Sequence, residues 1–179
     1  MTRAVLSLGS NLGDRMKALQ GAVDALLDGT DAPAPVAVSP VYETAPVGGP
    51  EQGAFLNAVI VVDHDGTPRS LLERARAAEE AFDRVREVRW GPRTLDVDVI
   101  AFGEVRSDDP ELTLPHPRAH LRAFVLRPWL DLDPLARLPG HGPVADLLAK
   151  VTAESGQDGQ RLRRRTDLRL LLPGGRNPR

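Results

Sequence analysis

Apolar residues along this chain recur with two different periods, and the switches between them mark the elements. Val5, Leu6, Ser7 and Leu8 read as a short strand ended by Gly9. Met16, Leu19, Val23, Leu26 and Leu27 then recur on one helical face, with Asn11 and Asp14 as candidate N-caps and Asp28–Gly29 as the stop. Pro33 and Pro35 mark a linker. The stretch VAVSPVYET, 36–44, is extended, and Pro40 within it predicts an edge strand or a bulge, because proline cannot donate to a ladder. APVGGPEQG, 45–53, is a Gly/Pro loop, and AFLNAVIVVDHDG, 54–66, is a strand stopped at Asp65–Gly66. Thr67 as cap and Pro68 at the first helical position open a second helix, whose apolar stripe is Leu71, Ala75, Ala78 and Phe82. A fourth strand runs from about Thr94 to Phe102.

The order β-α-β-β-α-β predicts an α+β protein, a ferredoxin-like sandwich with an antiparallel sheet, helices on one face and the other face free for a site. After Gly103 prolines become frequent. Extra short helices are expected near Leu121–Asp131 and Val144–Val151, and Asp167–Leu172 is a candidate added strand. Residues 1–151 read as one domain and residues 152–179 as a basic C-terminal extension, partly ordered at most.

Composition narrows the function classes. With 179 residues, 41% hydrophobic and 27% charged, the chain has the make-up of a soluble globular domain. A formal net charge of -2 offers no global field for nucleic acid or membrane, and the absence of cysteine excludes thiolate chemistry and disulfides. The first residues hold too short an apolar run for a signal peptide, and nothing approaches the roughly 20 apolar residues of a membrane span, so the expected location is cytoplasmic.

The fourth strand carries the chemistry. Alternation places Leu95, Val97, Val99 and Ala101 on one face, and Asp96, Asp98 and Ile100 on the other. The two aspartate Cα atoms then lie roughly 6.6 Å apart, so their carboxylates can converge on one or two hard cations. Arg84, Arg86, Arg89 and Arg93 precede this strand and could neutralise phosphates, while Trp90 offers a stacking face. A second D-x-D, Asp131 and Asp133, lacks a basic loop and reads as a helix end. GSNLGD, 9–14, could hold an anion at a helix start but reads better as a capped turn, lacking a Walker lysine. His116 is held stiffly between two prolines, ahead of Arg118 and Arg122. Asn57 shares a strand face with Phe55, and a half-buried amide there needs partners.

RWGPRTLDVDVIAFG (89–103), SLGSNLGD (7–14), YETAPVG (42–48), FLNAV (55–59) and LPHPR…RAFVL (114–126) occur in order. With them the chain resembles the 6-hydroxymethyl-7,8-dihydropterin pyrophosphokinases of folate biosynthesis, from about residue 4 to 130 and weakly to 150. The resemblance implies transfer of pyrophosphate from ATP to the pterin hydroxymethyl group, giving AMP and the pterin diphosphate. It implies two Mg²⁺ ions on Asp96 and Asp98, with Arg84, Arg93 and Asp98 at the reaction centre. Glu79, Arg84, Trp90, Arg93, Val99, His116 and Arg122 would serve ATP. Thr44, Pro46, Val47, Phe55, Asn57, Asp96 and Phe124 would serve the pterin, stacked between Phe55 and Phe124. The partners implied are those two small molecules, with no nucleic acid, no membrane and no obligatory protein, the chain acting as a monomer.

Three departures stand out: Phe55 where tyrosine is also common, an arginine loop one residue shorter than in some members, which affects the carry-over of Arg86, and Glu111 where some place a basic residue. Two rival readings are a metal-dependent phosphohydrolase using the same aspartates on water, and a non-enzymatic RNA-binding module. The second is opposed by the 4% aromatic content and by carboxylates that would repel phosphate without a metal.

Overall fold

The computed structural model describes residues 1–45, 53–83, 95–155 and 161–174. In chain order the elements are β1 (Thr2–Ser10), α1 (Arg15–Leu26), β2 (Ala34–Val38), β3 (Tyr42–Thr44), β4 (Phe55–His64), α2 (Pro68–Asp83) and β5 (Asp96–Phe102). There follow a hairpin of β6 (Ser107–Asp109) and β7 (Leu112–Leu114), a 3-10 turn (Ala119–Leu121), and α3 (Ala123–Leu132). A second hairpin, β8 (Arg137–Leu138) with β9 (Gly142–Pro143), leads to α4 (Val144–Glu154) and β10 (Leu162–Arg164). The main sheet runs β10-β3-β4-β1-β5, with β2 also on β4, and all its pairings are antiparallel. This is the ferredoxin-like arrangement expected from the periodicity.

α1 begins where Asp14 accepts a hydrogen bond from the Lys17 amide at 3.1 Å. Asp14 is therefore the cap; Asn11 is buried in the preceding loop. The Asp14 carboxylate meets the first-turn amide, which makes the GSNLGD turn a capped start. Thr67 caps α2 in the same way, its Oγ1 accepting from the Ser70 amide at 3.1 Å. The two helices approach closely: a β-carbon at Gly21 would fall 2.1 Å from the Phe82 ring. Their apolar stripes meet Leu6, Leu8, Leu56 and Ile60 from one sheet face.

Several local expectations are corrected. β1 does not end at Gly9 but passes through it to Ser10. The segment of Pro33 and Pro35 is not all linker, because β2 enters the sheet beside β4, with a register shift between Pro35 and Ala37 that accommodates the proline at the edge. Pro40 divides the expected single strand into β2 and β3. Across the break Ser39 keeps Val59 satisfied, donating its amide to the Val59 carbonyl at 2.9 Å and accepting the Val59 amide on Oγ at 2.8 Å.

On β5, strict alternation fails beyond Val99. Leu6 pairs with Val99 and Val5 with Ala101, so Ile100 is an extra residue. Ala101 therefore faces the same side as Ile100, not that of Val97 and Val99. The His116 amide takes up the Ile100 carbonyl at 2.8 Å, which brings the proline-flanked histidine against β5.

The second sheet face is not wholly free. α3 and α4 cover part of it, burying Val125, Leu126 and Trp129 against Val5, Val59 and Val61. The strand ends carrying residues 7–9, 55–57 and 96–98 remain for a cleft.

The added strand is at 162–164, paired with β3, rather than at 167–172. Leu170 and Leu172 are buried while Leu171 is exposed, a strand-like alternation without a strand partner. The Gln20 side chain of α1 takes that place: its Oε1 accepts the Leu171 amide and its Nε2 donates to the Leu171 carbonyl, both at 2.9 Å. Among the described residues no helix is long and apolar enough to cross a membrane.

Candidate active site

The pairing register sets the site as rows across the sheet. Tyr42 lies opposite Asn57, Asn57 opposite Gly9, and Gly9 opposite Asp96. A neighbouring row joins Val59, Ser7 and Asp98, and another joins Leu162, Thr44 and Phe55. Residues directly opposite in a ladder project to the same face. Acid, amide, aromatic and small residues drawn from five strands thus converge in one cleft of about 420 Å³, a size suited to a small ligand.

At one end stand Asp96 and Asp98, both half-buried. The floor is Ser7 and Gly9 of β1, where the absence of a side chain at Gly9 leaves room for the Asn57 amide. At the other end Asn57 donates from Nδ2 to Thr44 Oγ1 at 2.9 Å, both residues being buried. That bond fixes the amide edge against the cleft, so its remaining polar atoms are oriented before any ligand arrives. Phe55 of β4 and Phe124 of α3 supply two aromatic rings to the same space. The Arg122 guanidinium lies 5.5 Å from the centre of the Phe124 ring, so the cation and an aromatic wall share one corner of the cleft.

α3 is braced against the sheet by a second polar cluster. The buried Tyr42 hydroxyl donates to Asp131, which also accepts from Arg127 at 2.7 Å. Burial, then the Asp131 hydrogen bond, pushes the Tyr42 pKa up to about 12, so this phenol stays a donor. Asp131 is therefore a brace between β3 and α3, more than the plain helix end expected for it, while Asp133 closes α3 and accepts the Leu135 amide at 3.0 Å.

His116 stands beside the acid end. Its Nδ1 accepts the Arg118 amide at 3.2 Å, which leaves the neutral ring's proton on Nε2. Burial lowers the His116 pKa, the charge of Asp98 partly opposes this, and Arg122 and Arg118 reinforce it. The ring is thus kept as a neutral N–H donor near Asp98.

The structure brings Thr44, Phe55, Asn57, Asp96, Asp98, Arg122 and Phe124 together around the cleft. Val99 is buried in the helix-side core, and Glu79 sits half-buried on α2, so these two lie on the other side of β5 from the carboxylates. Pro46, Val47, Arg84, Arg86, Trp90 and Arg93 lie outside the described residues. Glu111 faces α2, 3.1 Å from Arg69 and 4.0 Å from Arg76. Five lining residues were not anticipated as site residues: Ser7, Gly9, Ala45, Leu121 and Leu162. Ser7 and Gly9 were within reach, since they alternate with the apolar Leu6 and Leu8. Leu121 and Leu162 carry no local signal, because apolar residues in a proline-rich loop and a basic tail look like ordinary packing.

Fold and cleft together define a ferredoxin-like α+β scaffold with paired carboxylates at one end of a cleft that also holds two aromatic rings. A model of the family described as 7,8-dihydro-6-hydroxymethylpterin-pyrophosphokinase (HPPK) matches residues 5–134. The chain belongs to that family, and is a pyrophosphokinase. It is 48% identical over 192 residues to the 2-amino-4-hydroxy-6-hydroxymethyldihydropteridine pyrophosphokinase of Mycobacterium bovis, covering 99% of both chains. It is 43% identical over 152 residues to the Pseudomonas aeruginosa protein of the same name, covering 85% of this chain and 93% of that one. In fold it resembles the Plasmodium falciparum HPPK-DHPS crystal structure, with a TM-score of 0.67 at 15% identity, over 88% of this chain and 42% of that longer one.

Proposed function

We propose that this chain transfers the pyrophosphoryl group of ATP to the hydroxymethyl group of 6-hydroxymethyl-7,8-dihydropterin, a step in folate biosynthesis, with Asp96 and Asp98 as ligands of Mg²⁺. The observation that carries the reading is the continuity of the cross-strand rows. One cleft joins an amide-and-aromatic slot to a carboxylate pair. A flat, polar-edged ring held between Phe55 and Phe124 with its edge on Asn57 and Thr44 would direct a substituent towards β5.

In the reaction the acceptor hydroxyl oxygen bonds to the β-phosphorus of ATP. The bond from that phosphorus to the α–β bridging oxygen breaks, AMP leaves, and the hydroxyl proton is released. The residues present suit Mg²⁺. It binds through one or two carboxylates together with substrate phosphates, and two half-buried carboxylates on one strand face line the cleft. Among the described residues no set of three or more His, Cys, Asp or Glu side chains forms a cage. When bound, two such ions would neutralise phosphate charge and hold the reacting groups in line.

The chain's own groups do the rest. Arg122 at the cleft corner offers a fixed cation to phosphate, and the His116 Nε2–H offers a neutral donor. Arg84 and Arg93, by resemblance, add charge on the transferring group, and by the same resemblance Glu79, Trp90 and Val99 border the nucleotide, Glu79 and Val99 from the helix side of β5, the edge strand of the sheet. Pro46 and Val47 border the pterin edge in the same reading.

The test is incubation with MgATP and 6-hydroxymethyl-7,8-dihydropterin, with products separated by chromatography. AMP and the pterin diphosphate, formed only when the acceptor is present, are expected. ADP or free phosphate without acceptor would replace this reading with a hydrolase.

A further inference from the structure

The cleft has a wall from outside the family match. That match ends at residue 134, yet Leu162 of β10 lines the cleft. β10 adds to the sheet beyond β3, and Leu162 is directly opposite Thr44, the residue that holds Asn57. Leu162 also packs with the apolar cluster that includes Phe124. It therefore lines the cleft at the polar-edge end of the slot and shares an apolar cluster with the aromatic side.

Position across the sheet says which end of a ligand it meets. The order β10-β3-β4-β1-β5 places Leu162 and the carboxylates on opposite edges. Four strand spacings separate them, about 19 Å at ~4.8 Å each. An acceptor whose reacting arm lies at Asp96 and Asp98, and whose ring lies over β4, turns its non-reacting edge towards β3 and β10.

The segment is fastened in place on both faces of its sheet. Arg165, next to β10, donates from Nη1 to Glu43 at 2.7 Å, and its amide donates to the Val41 carbonyl at 2.8 Å. Its other guanidinium edge meets Asp167 at 2.7 Å. Glu43 is in turn 3.5 Å from Arg15, which donates to the Ala54 carbonyl at 2.7 Å, one residue before Phe55. The tail, β3, α1 and the start of β4 are thus linked in one polar chain. Further on, Leu170 and Leu172 enter the helix-side core.

We propose that β10, Leu162–Arg164, is part of the acceptor subsite. Leu162 is a specificity-determining residue that closes the slot at the end remote from Asp96 and Asp98, and Glu43 is a positioning residue that holds it through Arg165. The proposal rests on the reading of this cleft as the pterin site. A leucine at that edge limits how large a substituent an acceptor can carry on its amino-pyrimidine side. It does not bear on substituents near the reacting arm or on ATP.

The experiment uses the full chain and its Leu162→Ala, Leu162→Phe and Glu43→Gln variants. KM for the pterin and for ATP are measured separately, with melting temperature, using the parent acceptor and an analogue N-methylated on the exocyclic amine. Loss of a side chain from an apolar pocket wall weakens discrimination by about tenfold or more. Leu162→Ala is expected to raise the pterin KM about tenfold, leave the ATP KM within about twofold, and favour the methylated acceptor relative to the parent. Leu162→Phe should disfavour the methylated acceptor. Glu43→Gln should shift the pterin KM in the direction of Leu162→Ala, and adding Glu43→Gln to Leu162→Ala should change little more. Unchanged pterin KM and acceptor preference would overturn the proposal. Equal losses for both substrates that track melting temperature would also overturn it, making Leu162 core packing alone. If the unaltered chain forms no AMP with the pterin, the reading of the cleft fails first, and the proposal with it.

Discussion

Gly9 lies directly opposite Asn57 on neighbouring strands, and a β-carbon at Gly9 would come 3.1 Å from the Asn57 Oδ1. Such a contact is tighter than carbon and oxygen ordinarily accept, and the amide has little room to yield because Thr44 holds its other end at 2.9 Å. Gly9→Ala is therefore expected to rotate Asn57 out of register with a ligand edge. Losing about one hydrogen bond, ~1.4 kcal/mol, corresponds to about a tenfold rise in pterin Kd. Titration calorimetry should show that rise with ATP affinity nearly unchanged.

Asp96→Asn and Asp98→Asn keep shape but remove the charges at the acid end of the cleft. Both side chains are half-buried on the ligand-facing side of β5 and contribute little to the core. Turnover with Mg²⁺ is expected to be lost in each, with stability changed by less than about 1 kcal/mol. AMP release and urea melts check both halves. Full activity in either variant would remove it from the reaction centre.

Phe55→Ala and Phe124→Ala should weaken pterin binding far more than ATP binding, since aromatic pairing adds about 0.5–1.5 kcal/mol beyond area burial. The Phe124 change also frees Arg122, now 5.5 Å from its ring centre. A modest loss of ATP affinity should therefore appear for Phe124→Ala and be absent for Phe55→Ala. Equal losses of both ligands in both variants would make these rings ordinary packing.

Gly21→Ala is a stability test remote from the cleft. The new β-carbon would overlap the Phe82 ring at 2.1 Å, so the ring must leave its seat between α1 and α2. Overpacking of this kind costs about 1–3 kcal/mol. Chemical denaturation should show that loss, and it should shrink when Phe82→Ala is present as well, because the two changes share one contact. Activity per folded molecule should hold.

His120 gives a pH dependence. Its ring stacks on that of His141, with centres 4.2 Å apart, and its Nδ1 is buried without a hydrogen-bond partner among the described residues. Burial, then the nearby charges of His141 and Lys150, lower its pKa. A histidine harder to protonate when folded contributes stability that is present above its unfolded value, about 6.5, and lost as pH falls below it. The melting temperature should drop between about pH 7.5 and 5.5, and His120→Phe should make that drop shallower. His64 and His116, also lowered by burial, would account for the slope that remains.

By itself the sequence determined the elements with strong local periodicity and the residues whose chemistry is tied to a motif. The stripe Leu71, Ala75, Ala78 and Phe82 specifies α2 because helical spacing puts all four on one face. Asp96 and Asp98 share a face because strand geometry allows nothing else over two residues. Tertiary structure alone decided where local rules compete with distant partners. The alternation of 170–172 predicts a strand, but among the described residues it is the Gln20 side chain that meets the Leu171 amide and carbonyl. Ala101 changed faces because Ile100 was forced out of the β1 ladder and found the His116 amide. Leu162 became part of the cleft because β3 accepted a strand arriving from the far end of the chain, with Arg165 and Glu43 closing the junction. Periodicity reports which side of an element is apolar, whereas pairing between strands more than 100 residues apart depends on which edge remains open once the rest has packed.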